Sequence, residues 1–278
     1  MAPPKYDGGY RVVAVRVGTL ATERSHVFLN YRLYGEDDGP ATVDYYFWVV
    51  QGPDTTIVVD TGFSEDAGRK RGRTLLLDPA EALAQLGIDP EAIEDVIVTH
   101  GHYDHIGNLG LFPNARIHMA EAEYRFWTSP TSGHIQFSFY SEEGEIDQLR
   151  LAETEGRLKL FSGETSPVPG IRLVEVGGHT PGQAIVYVPT SEGEVLTASD
   201  AVHFYEELER DMPFTAVSDL PTMYDAFAFI RREKQERGLT VIPGHDPDVL
   251  TRFRACPDLP AGAGVVIGGT PSTNKETP

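Results

Sequence analysis

The histidine-rich run HGHYDH at residues 100–105 constrains this chain more than any other feature of its sequence. Three imidazoles and one carboxylate in so short a run cannot lie on a buried strand or helix face without a large desolvation cost. The run follows a short apolar segment, 96–98, that is typical of a buried strand. In an extended loop, residues 100 and 102 point the same way, while 104 and 105 turn toward a neighbouring point. The run is therefore either a solvated loop or a set of ligands able to serve two metal ions.

Three later segments repeat the arrangement of a short strand followed by a turn that carries a histidine or a carboxylate. They are GHTPG around His179, SDA around Asp200 and PGHD around His245. Each is weak alone, but their order along the chain favours metal ligation over a solvated loop. Imidazole and carboxylate suit zinc, manganese, cobalt or iron. The single cysteine, Cys256, lies outside these motifs and is interpreted as structural or incidental.

Hydrophobic patterning elsewhere predicts strands and helices that alternate, which indicates a layered α/β architecture. The predicted strands are 10–17, 43–50, 56–59, 96–98, 115–119, 171–176, 184–188, 194–197 and 240–242. Helices are predicted to begin after Asp78 and to cover 120–128 and 221–237, whereas 63–77 is predicted to be a surface loop. We expect a single domain over 1–260, with halves of about 1–165 and 166–260, followed by a flexible tail over 261–278.

The net charge of the chain limits the kinds of molecule that we expect it to bind. The chain has 23 Lys and Arg residues against 42 Asp and Glu residues, a formal net charge of −19. This charge argues against a nucleic-acid partner, because phosphate binding needs clustered basic residues. No apolar run approaches the ~18 residues of a membrane span, and the N-terminus lacks the apolar stretch of a signal peptide. We therefore expect a cytoplasmic protein with a small-molecule substrate, without nucleic-acid or membrane partners.

The ordered motifs HxHxDH, GHTPG, SDA and GHD resemble those of the metallo-β-lactamase superfamily, and DTG at residues 60–62 resembles an early element of the same pattern. The resemblance covers about residues 43–250 and implies an αββα sandwich with its site at the edge between two sheets. It also implies the ligands of two metal ions: His100, His102 and His179 for the first, Asp104, His105 and His245 for the second, and Asp200 bridging both. Asp60 would orient a ligand loop, although a turn Asp at a strand end explains it equally well.

Within the superfamily the chain is most similar to the N-acyl-homoserine lactonase group, through its DTG-to-HxHxDH spacing, the words HYDHIGN and GHD, and its length. This implies a dinuclear hydrolase, with zinc expected, that opens a lactone or related ester or cyclic amide by attack of a metal-bridging hydroxide. It also allows a homodimer, since dimers are common in that group. Asp104 would pass a proton to the leaving alkoxide. In that group a Tyr commonly follows the bridging Asp by three residues. Here that position is His203, with Tyr205 two further on, so either is a candidate donor to the oxyanion.

Two other activities of the same fold stay open. A glyoxalase II-like thioesterase should carry a basic cluster after the last ligand, and none is evident in the sequence. An iron-dependent oxidoreductase of the flavodiiron kind has Glu where this chain has His102. A β-lactamase proper is disfavoured, because its zinc forms use Cys at the position of Asp200, and an RNA-processing nuclease is disfavoured by the net charge.

Overall fold

The computed structural model describes residues 9–269, which form fourteen strands and ten α-helices. The strands are β1 (Arg11–Glu23), β2 (Pro40–Gln51), β3 (Thr56–Val59), β4 (Thr74–Leu75), β5 (Asp95–Ile97), β6 (Arg116–Ala120), β7 (Leu158–Phe161), β8 (Glu164–Val168), β9 (Ile171–Glu175), β10 (Ala184–Thr190), β11 (Gly193–Ser199), β12 (Thr240–Pro243), β13 (Arg254–Ala255) and β14 (Gly264–Ile267). The helices are α1 (Arg24–Val27), α2 (Glu65–Lys70), α3 (Pro79–Gln85), α4 (Tyr103–Ile106), α5 (Glu121–Trp127), α6 (Ile135–Ser138), α7 (Glu143–Thr154), α8 (Tyr205–Arg210), α9 (Leu220–Arg237) and α10 (Val249–Arg252).

The strands form two sheets that pack face to face between layers of helices. The first runs in the order β13-β14-β1-β2-β3-β5-β6-β7, with β4 beside β1, and the second in the order β12-β11-β10-β9-β8. Side chains such as Trp48 of the first sheet and Val186 of the second share one buried cluster between the sheets. Leu149 of α7 packs in a cluster on the outer face of the first sheet, and Phe227 of α9 packs on the second. This arrangement is the αββα sandwich predicted from the sequence.

Strand β1 shows why the first sheet lies in the interior. Val13 and Val15 point into the cluster on one face, while Val12 and Ala14 point into the cluster on the other. A strand that is covered on both faces carries a continuous apolar run instead of an alternating one. The strands of the second sheet begin at Glu164, and β13 and β14 return to the first sheet after them.

Helix boundaries follow the capping signals of the sequence. The Asp78 side chain accepts from the backbone amides of Ala80 and Glu81 at 2.9 and 3.2 Å and so caps α3. Gly238 ends α9 in the left-handed conformation at φ 68°. Among residues 9–269, none of the helices combines the length and apolar character that crossing a bilayer requires.

The prediction of a flexible tail from residue 261 is wrong for part of that segment. Gly264–Ile267 is strand β14, which pairs antiparallel with β1. Val265, Val266 and Ile267 are buried there. The short apolar run is flanked by glycines, so composition concealed a strand that long-range pairing stabilises. Residues 270–278 of the predicted tail lie outside the described residues.

The surface loop predicted over 63–77 is also only partly correct. Glu65–Lys70 forms α2, and the Ser64 side chain caps it by accepting from the Ala67 amide. Arg71 is buried, with its guanidinium 2.6 Å from the Glu142 carboxylate. Its charge is thus satisfied inside the protein, which the basic local composition does not indicate.

Candidate metal centre

Parallel pairing of strands brings the separate motifs to one edge of the sandwich. Strand β3 pairs parallel with β5, and Val59 lies opposite Ile97, so the segments that follow each strand run side by side. In the second sheet, β11 pairs parallel with β12, and Ser199 lies opposite Pro243. Because parallel strands end at the same edge, the polar residues after all four strands converge there.

The seven predicted ligands gather into two adjoining sets at this edge. One set is His100, His102, His179 and Asp200, and the other is Asp104, His105 and His245. Within each set the candidate ligand atoms lie within 4.8 Å of one another, and all seven residues are buried.

Asp200 lies between the two sets. Its Oδ2 is 3.4 Å from His179 Nε2, and its Oδ1 is 3.3 Å from His105 Nε2. His245 Nε2 is 3.1 Å from Asp200 Oδ2 and 3.6 Å from Asp104 Oδ2. The Asp200 carboxylate thus lies close to histidines of both sets.

Unpartnered polar atoms show that the donor set fits bound cations. His100 Nε2, His105 Nε2 and Asp200 Oδ1 are buried without a hydrogen-bond partner among the described residues. Leaving a buried polar atom unsatisfied costs about 1–3 kcal/mol, and here several face one another. Divalent ions coordinated by these nitrogen and oxygen atoms would satisfy them together.

The protonation states of the histidines depend on burial and on the neighbouring carboxylates. Burial, together with the adjacent imidazoles, holds the pKa of His100 and His179 well below the usual value. These rings are therefore neutral, which is the form that binds a metal. Burial also lowers the pKa of His105, but Asp200, Asp104 and Asp60 outweigh it and raise that pKa well above the usual value. The raised pKa of His105 indicates that negative charge is concentrated around its ring.

Hydrogen bonds from the ring nitrogens on the far side orient two of the ligands. His179 Nδ1 lies 2.7 Å from the Ala216 carbonyl oxygen, and His245 Nδ1 lies 2.8 Å from that of Asp44. A carbonyl oxygen only accepts, so Nδ1–H donates in both rings and the lone pair of Nε2 faces the centre.

Asp60 links three of the segments that carry ligands. Its carboxylate accepts from the Thr99 amide and the Thr99 hydroxyl, both at 2.8 Å, and from the Ser199 hydroxyl at 3.2 Å. The same carboxylate lies 2.7 Å from His105 Nδ1. Asp60 itself adopts a left-handed backbone conformation at φ 58°. These contacts favour the orienting role of Asp60 over that of a simple turn residue.

Glu123 is a site residue that sequence reasoning missed. It is fully buried, and its two oxygens accept from the amides of Gly101 and Gly182, each at 2.8 Å. The Trp127 indole also donates to it, at 2.6 Å. Glu123 therefore ties the His102 loop to the His179 loop. No motif surrounds it, and an acidic residue near a helix start is ordinary.

Two of the three candidate catalytic residues, His203 and Tyr205, do not line the cavity that the predicted ligands border. His203 is fully buried, with Nε2 3.1 Å from Asp200 Oδ2 and Nδ1 3.4 Å from Glu207 Oε1. Tyr205 borders a different cavity, where the Arg252 guanidinium lies 3.7 Å from the centre of its ring. Neither His203 nor Tyr205 lines the cavity beside the ligands, whereas Asp104 does.

That cavity has a volume of about 350 Å³. Five predicted ligands form its floor: His102, Asp104, His179, Asp200 and His245. Val27, Val43 and Phe214 contribute apolar wall. Tyr140 also lines it, and its ring stacks on His102 with a centroid distance of 5.0 Å. The arrangement can hold a small molecule, with its reacting atoms against the ligands.

Several curated proteins with sequences similar to this chain share the name N-acyl homoserine lactonase. An N-acyl homoserine lactonase from a Bacillus species is 29% identical over 235 residues, which are 78% of this chain and 84% of that protein. The N-acyl homoserine lactonase AttM of Agrobacterium fabrum is 26% identical over 185 residues, which are 64% of this chain and 68% of that protein.

Solved structures share the fold. A quorum-quenching N-acyl homoserine lactone lactonase matches with a TM-score of 0.74 and 22% identity, covering 90% of this chain and 98% of that chain. The dizinc quorum-quenching lactonase AidC matches with a TM-score of 0.67 and 17% identity, covering 95% of each chain. A family model for the metallo-beta-lactamase superfamily matches residues 43–245, which include all seven predicted ligands. The chain therefore belongs to the metallo-β-lactamase superfamily.

Proposed function

We propose that this protein is a metal-dependent hydrolase that opens a lactone, or a related ester or cyclic amide, in the cavity beside the metal centre. The observation that carries the proposal is the convergence of seven buried nitrogen and oxygen donors, five of which form the cavity floor. The lactonase names of the curated relatives support the choice of a lactone.

The assignment of ligands follows the two observed sets. His100, His102 and His179 would hold one ion, Asp104, His105 and His245 the second, and Asp200 both. We propose zinc, because the donors suit it and because a solved structure of the same fold is described as a dizinc lactonase. Two divalent ions supply activation of water and polarisation of a substrate carbonyl when bound.

Asp104 is the proposed proton carrier for the leaving alkoxide. Burial raises the pKa of its carboxyl, but His105 and His245 outweigh burial and lower that pKa below the usual value. The group is therefore a carboxylate at neutral pH, ready to accept a proton and to release it at the cavity surface.

His203 is proposed to position Asp200 instead of touching the substrate. Its ring stacks on Phe214 with a centroid distance of 4.0 Å, and its Nε2 lies 3.1 Å from Asp200 Oδ2. Replacing the Tyr of the resembled group by a buried His thus changes what this position can do. Tyr205 has no role in the proposed reaction.

A substrate panel with defined metal content tests the proposal. Purified protein is stripped with a chelator, reloaded with zinc, manganese, cobalt or iron, and assayed on lactones, including N-acyl homoserine lactones, and on a thioester. We expect lactone turnover that is lost on chelation, restored by zinc and absent from the His102→Ala variant. Turnover that survives both chelation and loss of His102 contradicts the proposal, and preferential thioester turnover would replace it with the thioesterase alternative.

A further inference from the structure

Arg73 brings an unexpected positive charge to the cavity. It lies between α2 and β4 and lines the same cavity as Asp104 and His245. Arg73 is only half-buried. The chain has a formal net charge of −19, so a cation beside the candidate metal centre requires a physical explanation.

The hydrogen bonds of Arg73 go to neutral groups. Its Nε donates to the Tyr103 hydroxyl at 3.2 Å, and its Nη1 donates to the Arg71 carbonyl. No carboxylate lies within 4 Å of its guanidinium among residues 9–269, unlike neighbouring Arg71, which is paired with Glu142. Every other buried or half-buried arginine in that described part of the chain has such a partner. Arg73 is thus a cation with capacity left for an anion.

Arg73 shares one side of the cavity with two tyrosines, Tyr45 and Tyr103. The Tyr45 ring meets the His245 ring edge-on, with a centroid distance of 5.1 Å. Burial lowers the pKa of Arg73, but Tyr45, Tyr103 and Asp104 outweigh burial and raise it above the usual value. The guanidinium therefore remains charged on the side of the cavity where Asp104 and His245 lie.

We propose that Arg73, beside Tyr45 on the cavity wall, forms a carboxylate-binding subsite of this cavity, and that the substrate carries a carboxylate outside the bond that is cleaved. The identification of the cleaved bond as a lactone rests on the function proposed above, whereas the subsite rests on the placement of Arg73. A guanidinium presents donors in a planar fork that matches a carboxylate, and such charge-assisted hydrogen bonds are about twice as strong as neutral ones.

A pair of matched lactones tests the subsite. The metal-loaded protein is assayed on 5-oxo-oxolane-2-carboxylate and on its neutral carboxamide, which share the ring and the bond to be opened. We expect the wild type to prefer the carboxylate. The Arg73→Gln variant should lower kcat/KM for the carboxylate by about 10- to 100-fold, mainly through KM, and leave the carboxamide within about threefold.

Controls separate loss of the subsite from loss of charge or of fold. Arg69→Gln removes the same charge from an exposed position on α2 and should leave both substrates unchanged. Arg73→Lys keeps the charge without the fork and should retain part of the preference. Thermal unfolding of each variant shows whether the fold is intact. An equal effect of Arg73→Gln on both lactones, or no effect on either, overturns the proposal.

Binding measurements show which carboxylate of the ligand Arg73 contacts. They also test the subsite independently of the proposed activity. Calorimetry measures 2-hydroxyglutarate, the ring-opened form of the charged lactone, and 4-hydroxybutyrate, which has only the carboxylate that ring opening creates. We expect Arg73→Gln to weaken binding of the first compound and to leave binding of the second unchanged, and equal weakening of both overturns the assignment to a carboxylate other than the one that ring opening creates. If the wild type opens no lactone of the panel but still binds 2-hydroxyglutarate through Arg73, the hydrolase proposal fails and the subsite stands.

Discussion

Asp60 shows how a single side chain controls the geometry of several ligands. It accepts hydrogen bonds from residues that precede His100 and Asp200, and it contacts His105 directly. We expect Asp60→Ala to weaken metal binding by about 10- to 100-fold, as loss of groups that orient metal ligands does. Competition against a chromophoric chelator measures the affinity.

Asp66 provides the matched control for that substitution. It is exposed on α2 and paired only with Arg69, so Asp66→Ala should bind metal like the wild type. Unchanged metal affinity in Asp60→Ala would show that the hydrogen bonds around Asp60 do not set the ligand geometry.

Gly244 marks a point where the backbone approaches a ligand too closely for any side chain. A Cβ at this position would lie 2.5 Å from Asp200 Oδ1 and 2.9 Å from the Ser199 carbonyl oxygen. Gly244→Ala should therefore displace Asp200 and reduce the metal content of the purified protein below two ions per chain. Gly39→Ala is the control, because a Cβ there meets nothing within 4 Å. Full metal content in Gly244→Ala would mean that the loop relaxes without cost to the centre.

At the residue scale, the sequence identifies candidate ligands where they cluster in short motifs. His100, His102, Asp104 and His105 are recognisable because they lie within six consecutive residues. Glu123 and Arg73 are not, since each is an ordinary charged residue until the fold places it. Their importance depends on contacts with residues distant in sequence, such as Gly182 for Glu123.

Helix α5 acts as a clamp between two ligand loops through Glu123. The amides of Gly101 and Gly182 both donate to its carboxylate, so an amide side chain would set one N–H against another. We expect Glu123→Gln to lower the free energy of unfolding by about 1–3 kcal/mol. Chemical denaturation measures it, with Glu121→Gln on the same helix as the control. Equal stability of the two variants would contradict the clamp.

Helix α7 carries a buried carboxyl whose titration should be visible in stability. Burial, with a smaller contribution from Glu142, raises the pKa of Glu145 from 4.5 to about 8, and its Oε2 has no hydrogen-bond partner in the described chain. The unfolded chain loses this proton near pH 4.5, whereas the folded chain holds it until about pH 8. The contribution of Glu145 to stability should therefore fall as the pH rises between these values and stay constant above them.

Glu145→Gln isolates this contribution. The variant should gain stability over the wild type by more than about 1 kcal/mol between pH 5 and 8. Glu236→Gln on α9, an exposed position, should show no such gain. A pH-independent difference between Glu145→Gln and the wild type would show that this carboxyl titrates normally.

Strands and helices were predictable from the sequence where their residue pattern and their flanking residues indicated the same element. Strand β3 and helix α9 match their predicted positions closely, because a β-branched run defines one and an amphipathic pattern between Asp219 and Gly238 defines the other. Strand β14 was missed, because four residues among glycines give no local signal and only pairing with β1 makes them a strand.

At the scale of the whole molecule, the first sheet is completed by the last described strand. Val265, Val266 and Ile267 of β14 are buried between β1 and β13. A chain truncated after residue 263 should therefore be less stable than one truncated after 269 by more than about 3 kcal/mol, since each buried aliphatic side chain contributes about 1.5–3 kcal/mol. Thermal unfolding of both truncated chains measures the difference, and equal midpoints would show that β14 is dispensable.

The fold class followed from the sequence because alternating elements and ordered motifs point to one architecture. The shape and charge of the cavity did not, since its lining comes from segments spread between Leu20 and His245. The substrate therefore depends on a surface that only the assembled sandwich creates.

The most direct test of the account is to locate the metal ions. Crystals of zinc-loaded protein, measured at energies on both sides of the zinc absorption edge, should show two anomalous peaks per chain. These should lie about 3.5–4 Å apart, one against His100, His102 and His179, the other against Asp104, His105 and His245, with Asp200 touching both. A single peak, or peaks away from these side chains, would contradict a dinuclear centre.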